Sequence, residues 1–269
     1  MVPDSVQVHE DRQLIRSNKW PSSIDRELPG ISIVIPAYNE ADYLELTLAS
    51  AQAAAAVYGG PVEIIVVDNN STDNTGDIAR TLGATVVFEP KNQIARARNA
   101  GAAVASGDYL VFLDADTRLQ GDILTKVAKN LATGQVIGGG AWIEPDSRGP
   151  GRLLFKYPVN FLLTLENVTV GPFLYCEREA FLKVGGFDEE FYAAEEFVLA
   201  KRMKAEGRKV NKAWKIIKHD KGHRVVTSSR RLGKFGGLEM ALRNVHLLWK
   251  SGQKLRQKDQ CSFWYRARG

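Results

Sequence analysis

Carboxylate side chains cluster at three points along the chain, each directly after a run of apolar residues. Glu40 closes the first cluster, Asp68 opens the second, and Asp114 and Asp116 form the third. Tyr38 and Glu40 offer an aromatic face and a carboxylate, which suit a nucleobase and a ribose hydroxyl. Asp114 and Asp116 can reach one hard cation, and Mg²⁺ or Mn²⁺ bound in this way usually takes its remaining ligands from diphosphate and water. Such a cation neutralises a leaving nucleoside diphosphate.

Each cluster also admits a structural interpretation. Asn39 could cap a helix that begins after the first strand ends at Pro36. Asp68 leaves a hydrophobic strand at its carboxyl end, where it could accept hydrogen bonds from a base or ribose, so we interpret it as functional. Asp73, beside a serine and a threonine, is typical of turns and caps, and we interpret it mainly as structural. By itself the Asp-x-Asp pattern is a weak signal, because it occurs by chance in many loops.

Alternating strands and helices must position these clusters. Apolar runs predict strands at 31–35, 62–67, 85–88 and 109–113, and amphipathic stretches predict helices at 41–57, 74–82 and 93–105. This alternation predicts an α/β fold with a mostly parallel central sheet and helices on both faces. In open sheets of this kind, ligands bind beyond the carboxyl ends of the strands, and every cluster lies at such an end.

After residue 119 the alternation loosens. The pattern predicts helices at 122–131, 177–184 and 194–206, strands at 135–143, 173–176 and 209–214, and an amphipathic stretch at 151–165. There is no internal repeat and no low-complexity segment. We therefore expect the second half to belong to the same domain as the first.

Composition restricts the class of protein. With 269 residues, of which 44% are hydrophobic, the chain can bury the core of one large α/β domain. Cys176 and Cys261 are far apart and lack metal-ligand spacing, so we expect no disulfide framework, no zinc site and a reducing cytoplasm. The N-terminus has no apolar core of signal-peptide type, and no apolar stretch reaches the length of a spanning helix. We expect a soluble protein, peripheral at the inner face of a membrane at most.

The net charge of +5 is concentrated at the C-terminal end. Basic residues crowd the last fifth of the chain, where Phe263, Trp264 and Tyr265 also lie. Aromatic and basic residues together suit an anionic membrane surface or an acceptor that carries phosphate. The alternatives are a solvated tail and an amphipathic helix that packs back on the domain. We expect no nucleic-acid partner, because three carboxylate clusters would repel a phosphate backbone.

Three stretches resemble the nucleotide-binding half of the family 2 glycosyltransferases: ISIVIPAYNE, EIIVVDNNSTDNT and NQIARARNAGAAVASGDYLVFLDADT. The resemblance covers residues 31–120 in order and spacing, and it implies the single-domain GT-A fold. It also implies that Pro36, Tyr38, Glu40 and Asp68 line the nucleoside pocket. The chain would then divide into an N-terminal extension, a nucleotide-sugar-binding half, an acceptor-side and catalytic half of the same domain, and a basic amphipathic segment, at residues 1–29, 30–120, 121–232 and 233–269.

The same resemblance assigns the third cluster and the helix before it. Asp116 would be the main ligand of Mn²⁺ or Mg²⁺, and Asp114 would face the ribose or donor sugar, with Ala115 between them in the pocket. Arg96 and Arg98 fit the family pattern at the donor side, where a guanidinium can pair with diphosphate or a sugar hydroxyl. For one of these two arginines we favour a surface-exposed helix face instead, and we assign Arg96 to the donor site.

A fainter resemblance extends over residues 185–202, and the chain departs from the family pattern in places. Asn69 replaces a second aspartate that commonly follows the first, which leaves the base preference open. Glu196 replaces another aspartate, and Val198 stands where a further acid is common. Glu196 would be the general base that removes the proton from the acceptor hydroxyl, with Glu195 as the second candidate.

Family members usually carry a histidine metal ligand after this helix and strand. Counting from Glu195, the spacing favours His219, and His223 is the other candidate. Arg230 and Arg231 could close over the diphosphate as a basic lid, and we assign Arg231 to the donor site.

The function implied is inverting, metal-dependent transfer of a sugar from a nucleoside-diphosphate donor to an acceptor hydroxyl of a glycan, lipid or small molecule. A UDP-sugar is the first choice of donor and GDP-mannose the second. The acceptor could be lipid-linked or phosphorylated. The alternative is a catalytically weak protein of the same fold that binds a nucleotide-sugar. A dinucleotide-binding protein is excluded, because Pro-Ala-Tyr-Asn-Glu follows the first strand and offers no glycine cradle for pyrophosphate.

Overall fold

The computed structural model describes residues 28–146, 160, 164, 171–218 and 222–230. The elements that can be followed through them are β1 (Ile31–Ala37), α1 (Ala41–Tyr58), β2 (Val62–Asp68), α2 (Thr75–Thr81), β3 (Thr85–Phe88), α3 (Ile94–Val104), β4 (Tyr109–Leu113), β5 (Thr117–Gly121), α4 (Ile123–Ala132), β6 (Val136–Ala141), β7 (Ile143–Pro145), β8 (Phe173–Glu177), α5 (Arg178–Lys183), α6 (Glu195–Lys209), β9 (Ala213–Ile217) and β10 (His223–Thr227).

These strands form one large sheet and one small sheet. The large sheet has seven strands in the order β3-β2-β1-β4-β8-β6-β9. Only β8 is antiparallel to its neighbours, and the other pairs in this sheet are parallel. The small sheet has the order β5-β10-β7. The prediction of an α/β fold with a mostly parallel sheet is therefore confirmed.

Apolar side chains cover the large sheet on both faces. One cluster joins α1 and α4 to the sheet through residues such as Leu44 and Val127, and the other joins α3, α5 and α6 through residues such as Phe181 and Leu199. On α3, a Cβ at Gly101 would overlap a side chain of β1, so the missing side chain lets the helix lie close to the sheet. This close packing sets the distance between α3 and the carboxyl ends of the strands.

Most predicted elements of the first half agree with the structure to within one or two residues. β1 continues through Pro36, which pairs in register with Val67, rather than ending there. The strand predicted near 209–214 exists but lies later, at Ala213–Ile217, because α6 continues to Lys209. The sequence pattern also missed β5 and β10, whose pairing joins segments about 100 residues apart and leaves no local signal.

Candidate active site

The three carboxylate clusters lie along one edge of the large sheet. β1 is parallel to β2, with Ala37 opposite Asp68, and it is also parallel to β4. Asp114 follows the last residue of β4 directly. Because the carboxyl ends of parallel strands meet at the same edge, residues far apart in sequence become neighbours there.

The loops after β1 and β2 are tied to one another. The Asn39 side chain accepts a hydrogen bond from the Thr72 amide over 2.8 Å, and the Asn39 amide donates to Ser71 Oγ over 3.1 Å. Asp68 Oδ1 accepts from the Ser71 amide over 2.9 Å. A Cβ at Gly76 would lie 2.8 Å from Asp68 Oδ2, so only glycine allows α2 to start beside this carboxylate. Asp68 therefore lies where hydrogen bonds join the loop after β1 to the loop after β2.

The residue at the start of α1 is joined to the same loops. Glu40 is buried, and its amide donates to Thr75 Oγ1 over 2.9 Å. Asp73 Oδ1 accepts from the Thr75 amide over 3.0 Å. Asp73 therefore organises the beginning of α2, as a turn-forming residue does.

Asn69 has a use that an aspartate could not supply. Its Nδ2 donates to the carbonyls of Glu89 and Lys91, over 3.0 and 2.7 Å. Its Oδ1 accepts from the Gln93 amide over 2.9 Å, just before α3 begins. A carboxylate has no donor for the two carbonyls. This departure from the family pattern therefore has a structural reason in the path of the chain after β3.

Arg98 joins an acid that follows β4 to the two acids at the start of α6. Its side chain is 1% exposed, and Nη2 lies 2.9 Å from Asp114 Oδ1. Nη1 lies 2.6 Å from Glu195 Oε1 and 3.1 Å from Glu196 Oε1. A guanidinium presents several donors in a fixed fork, so one arginine can hold acids from two separate elements. The two glutamates at the start of α6 are thereby held against the end of β4.

Burial and charge act in opposite directions in this cluster. Burial lowers the pKa of Arg98, but the charges of Glu196, Asp114 and Glu195 raise it more, so the guanidinium stays charged. Burial raises the pKa of Glu195 to about 8, and the charge of Glu196 adds to the shift while Arg98 opposes it. The Glu196 side chain is 12% exposed and that of Glu195 is 2% exposed. Glu196 is therefore the acid of this pair that an acceptor could reach more easily.

The segment before α6 is held by α3. Gln93 Nε2 donates to the carbonyls of Glu189 and Phe191, over 2.5 and 3.1 Å. Asn99 exchanges two hydrogen bonds with the backbone of Phe187, each 2.9 Å long. The last residue before α6, Ala194, has φ of 61°, which is unfavourable for a residue with a Cβ. These hydrogen bonds hold the segment that leads into α6, and they thereby fix the positions of Glu195 and Glu196.

Arg230 lies at the other pair of acids. Its Nη2 is 2.6 Å from Glu40 Oε1 and 2.9 Å from Asp116 Oδ2. Its guanidinium carbon lies 4.7 Å from the centre of the Tyr43 ring. Burial lowers the pKa of Arg230, but the hydrogen bond to Glu40 and the charge of Asp116 raise it more. This arginine is therefore a permanent cation at the predicted metal ligand.

Two further predicted residues lie at less direct positions. Arg96 is 34% exposed and pairs with Glu89 over 3.2 Å and with Glu189 over 2.7 Å. One of the two arginines of α3 thus lies nearer the surface, but it is Arg96, which we assigned to the donor site, whereas Arg98 is the one buried among the acids. Ala115 is buried in the core, and its carbonyl accepts from Thr47 Oγ1 over 2.7 Å. Ala115 therefore connects the third cluster to α1.

The histidine candidates differ in what can be said of them. His223 begins β10, whereas Thr227, at the other end of that strand, pairs beside Asp116. Four residues of extended chain span about 13 Å, so His223 lies far from this carboxylate. Its ring is buried at that far end of the small sheet. His219 and Arg231 lie outside the described residues.

The acids present fit a divalent cation that is shared with a ligand. Within the described residues, no group of three or more histidine, cysteine, aspartate or glutamate side chains is arranged to hold a metal by itself. At this edge the carboxylates outnumber the guanidinium groups of Arg98 and Arg230. The guanidinium of Arg230 lies 2.9 Å from Asp116. Oxygen ligands with diphosphate and water completing the shell are what Mg²⁺ and Mn²⁺ take in such sites.

Sequence reasoning missed that Arg98 is the centre of the acid cluster. The buried residues of α3 include Ala95, Arg98, Gly101 and Ala102. These positions recur at the spacing of one helix face, and all except the arginine are small. This stripe predicts that Arg98 is buried and Arg96 is not.

The sheet order and the two layers of helices define an α/β protein of the GT-A type. Residues 32–185 match the sequence model of Glycosyl transferase family 2. The chain belongs to this family and is a glycosyltransferase, which confirms the resemblance. An uncharacterized glycosyltransferase of Mycobacterium bovis is 30% identical over 166 residues, which cover 59% of this chain and 72% of the relative. Glycosyltransferase AglE of Haloferax volcanii is 37% identical over 95 residues, which cover 33% of this chain and 31% of that protein.

Solved structures share the fold. Mannosyltransferase PcManGT from Pyrobaculum calidifontis, in complex with GDP-Man and Mn²⁺, has a TM-score of 0.55 and 21% identity, and the match covers 83% of this chain and 63% of that one. TarS 1-349 from S. aureus, in complex with UDP-GlcNAc, has a TM-score of 0.56 and 21% identity, and the match covers 74% and 58%. This chain therefore spans less than two thirds of either solved chain.

Proposed function

We propose that the chain transfers a sugar from a nucleoside-diphosphate donor to an acceptor hydroxyl by a single displacement that inverts the anomeric centre. The observation that carries the proposal is the Arg98 fork, which holds Asp114 and the two glutamates of α6 within 3.1 Å of one guanidinium. Asp114 lies in the half that we assign to nucleotide-sugar binding, and the glutamates lie in the half that we assign to the acceptor. The donor side and the acceptor side of a transfer reaction therefore meet at one residue.

The donor would lie along the sheet edge. Tyr38 and Pro36 would contact the base, while Asp68 and Glu40 would accept hydrogen bonds from the base or ribose. Two proteins of the same fold, named above, were solved with GDP-Man and with UDP-GlcNAc, which supports a nucleotide-sugar as the ligand. A UDP-sugar remains our first choice and GDP-mannose the second.

A divalent cation, Mn²⁺ or Mg²⁺, would be held by Asp116 and would neutralise charge on the leaving diphosphate. The position of Asp116 in the turn between β4 and β5 supports this role, and its carbonyl accepts a hydrogen bond from the Ser228 amide over 3.1 Å. Asp114, held by Arg98, would orient the ribose or sugar. His219 and Arg231 remain proposals as the further metal ligand and as a donor contact.

Glu196 would accept the proton of the acceptor hydroxyl as that oxygen attacks the anomeric carbon. It is more exposed than Glu195, and it lies at the start of α6 next to the same arginine. Glu195, with its pKa raised to about 8 by burial and by the charge of Glu196, would already hold a proton at neutral pH and is therefore the weaker candidate for the base.

The acceptor and the place of the reaction rest on the sequence alone. We propose an acceptor that could carry lipid or phosphate, met by the basic C-terminal segment at the inner face of a membrane. No helix within the part of the chain that the structure describes is long and apolar enough to cross a membrane.

Nucleotide binding tests the donor side of the proposal. We expect UDP or GDP to raise the melting temperature with Mn²⁺ and much less with EDTA, because a ligand that binds only the folded state stabilises it. Asp116→Asn should remove the metal-dependent part, whereas Asp77→Asn, at an exposed position on α2, should behave like the unchanged protein. Equal nucleotide stabilisation in Mn²⁺ and in EDTA would contradict the metal role.

Turnover tests the base. With a donor that the binding assay identifies, Glu196→Gln should lower turnover by about 10²- to 10⁴-fold while nucleotide affinity barely changes. Near-normal turnover in Glu196→Gln, with loss in Glu195→Gln, would move the role to Glu195. A product that retains the donor's anomeric configuration would rule out the single displacement.

A further inference from the structure

The Arg230 guanidinium contacts Asp116, the carboxylate that the proposed function assigns as the metal ligand. A single nitrogen, Nη2, lies within hydrogen-bond distance of both Glu40 and Asp116, at 2.6 and 2.9 Å. The two acids follow different strands of the sheet, and the arginine follows β10 of the small sheet. Its side chain is 17% exposed, so this ion pair is largely shielded from water. A shielded pair of this kind is stronger than a pair on an open surface.

The backbone and the aromatic ring beside it hold this guanidinium in place. The Ser228 amide donates to the Asp116 carbonyl over 3.1 Å, and the Arg230 amide donates to Ser228 Oγ over 3.2 Å. The Tyr43 ring supports the guanidinium from α1, with 4.7 Å between the guanidinium carbon and the ring centre. These contacts therefore hold the Arg230 guanidinium beside Asp116.

We propose that Arg230 is the resident cation of the metal site, and that it keeps the affinity of the free enzyme for divalent cations low until the donor binds. This inference rests on the proposed function, because it takes Asp116 as the metal ligand. A divalent cation on Asp116 Oδ2 would share an oxygen with a guanidinium less than 3 Å away. The two positive charges would repel each other, so the arginine must leave this oxygen before the metal can bind well.

The competition cannot be relieved by pH in the physiological range, because an arginine side chain stays protonated. It can be relieved by the donor, whose diphosphate offers the guanidinium another anionic partner. Metal and donor would then bind with positive cooperativity, and each would raise the affinity for the other by the same factor.

Mn²⁺ titration of the whole chain, without nucleotide, tests the proposal. Free Mn²⁺ is measured by its electron paramagnetic resonance signal for the unchanged protein, for Arg230→Met and for Arg118→Met. Arg118 is a matched control, because it is two residues from Asp116 in sequence and its guanidinium lies 3.6 Å from Asp146, another acid. Coupling between sites is typically about 5- to 150-fold, so we expect Arg230→Met to bind Mn²⁺ about tenfold more tightly and Arg118→Met to bind like the unchanged protein.

Repeating the titrations with UDP and GDP completes the test. Nucleotide should raise Mn²⁺ affinity more in the unchanged protein than in Arg230→Met, since the variant has no resident cation to displace. Equal Mn²⁺ affinity in all three proteins, with nucleotide-dependent binding intact, would overturn the inference and leave the proposed function standing. Absence of Mn²⁺ binding in all three proteins, even with nucleotide, would instead overturn the metal role itself.

Folding of the variant is checked by its melting temperature. Arg230→Met leaves two buried carboxylates without this cation, so we expect a lower melting temperature in EDTA and a larger increase with Mn²⁺ than in the unchanged protein. If Arg230→Met does not fold, Arg230→Gln serves instead, because glutamine keeps a polar side chain but removes the charge. Mn²⁺ affinity of Arg230→Gln equal to that of the unchanged protein would then overturn the inference.

Discussion

Replacing Arg98 by methionine should destabilise the protein more than the same replacement of an exposed charged residue on α3. The change keeps an unbranched apolar stem but removes the cation that contacts Asp114, Glu195 and Glu196. Breaking a buried ion pair by removing one partner typically costs about 3–5 kcal/mol, because the other charge stays buried without compensation. Here three acids lose their common cation, so we expect a loss in the upper part of that range near pH 8.

The loss should be smaller in acid. At lower pH a larger fraction of Glu195 is protonated, so less negative charge is left without a cation in Arg98→Met. The variant should therefore lose less free energy of unfolding at pH 5 than at pH 8. The free energy of unfolding is measured by urea denaturation at both pH values. If the variant is too unstable at pH 8, pH 5 is compared with the highest pH at which Arg98→Met still folds.

Arg96→Met is the matched control, because Arg96 lies two residues away on α3 and is 34% exposed. Exposed ion pairs contribute about 0–1 kcal/mol, so this control should lose little stability. The reasoning about a buried acid cluster would be refuted by equal losses in Arg98→Met and Arg96→Met, or by a loss in Arg98→Met that does not change between pH 5 and pH 8.

Two further predictions concern the same network. The pKa of Glu195 is raised from 4.5 to about 8, so the folded state holds this proton more tightly than the unfolded chain, and the stability it contributes is lost as the pH rises from about 4.5 through about 8. Urea denaturation across this range should therefore show a decline of at most about 1.4 kcal/mol per pH unit, and Glu195→Gln should flatten it. Asn69→Asp should lower the free energy of unfolding by about 1–3 kcal/mol, because a carboxylate cannot donate to the carbonyls of Glu89 and Lys91. The exposed neighbour gives the control Asn70→Asp, and an equal loss there would contradict this use of Asn69.

The sequence by itself determined the first half of the fold and the position of the three acid clusters at one edge of the sheet. Strands such as Val62–Asp68 and Tyr109–Leu113 are apolar runs that end in acids, and both the strand period and the end of the run can be read locally. Because the carboxyl ends of parallel strands share an edge, the sequence pattern predicts that the three acid clusters lie close together. The family pattern added the roles of individual residues, which remain predictions.

Only the tertiary structure decided which charges are partners. Arg98 contacts Glu195 across 97 positions of sequence, and Arg230 contacts Glu40 across 190. The small-residue stripe of α3 indicates that Arg98 is buried, but it does not indicate which acids Arg98 contacts. The partners depend on how α6 packs beside α3 and on how β10 pairs with β5, and neither arrangement leaves a periodic signal in the sequence. The partner of a charged side chain is set by the neighbours that the folded chain brings to it, and those neighbours are distant in sequence.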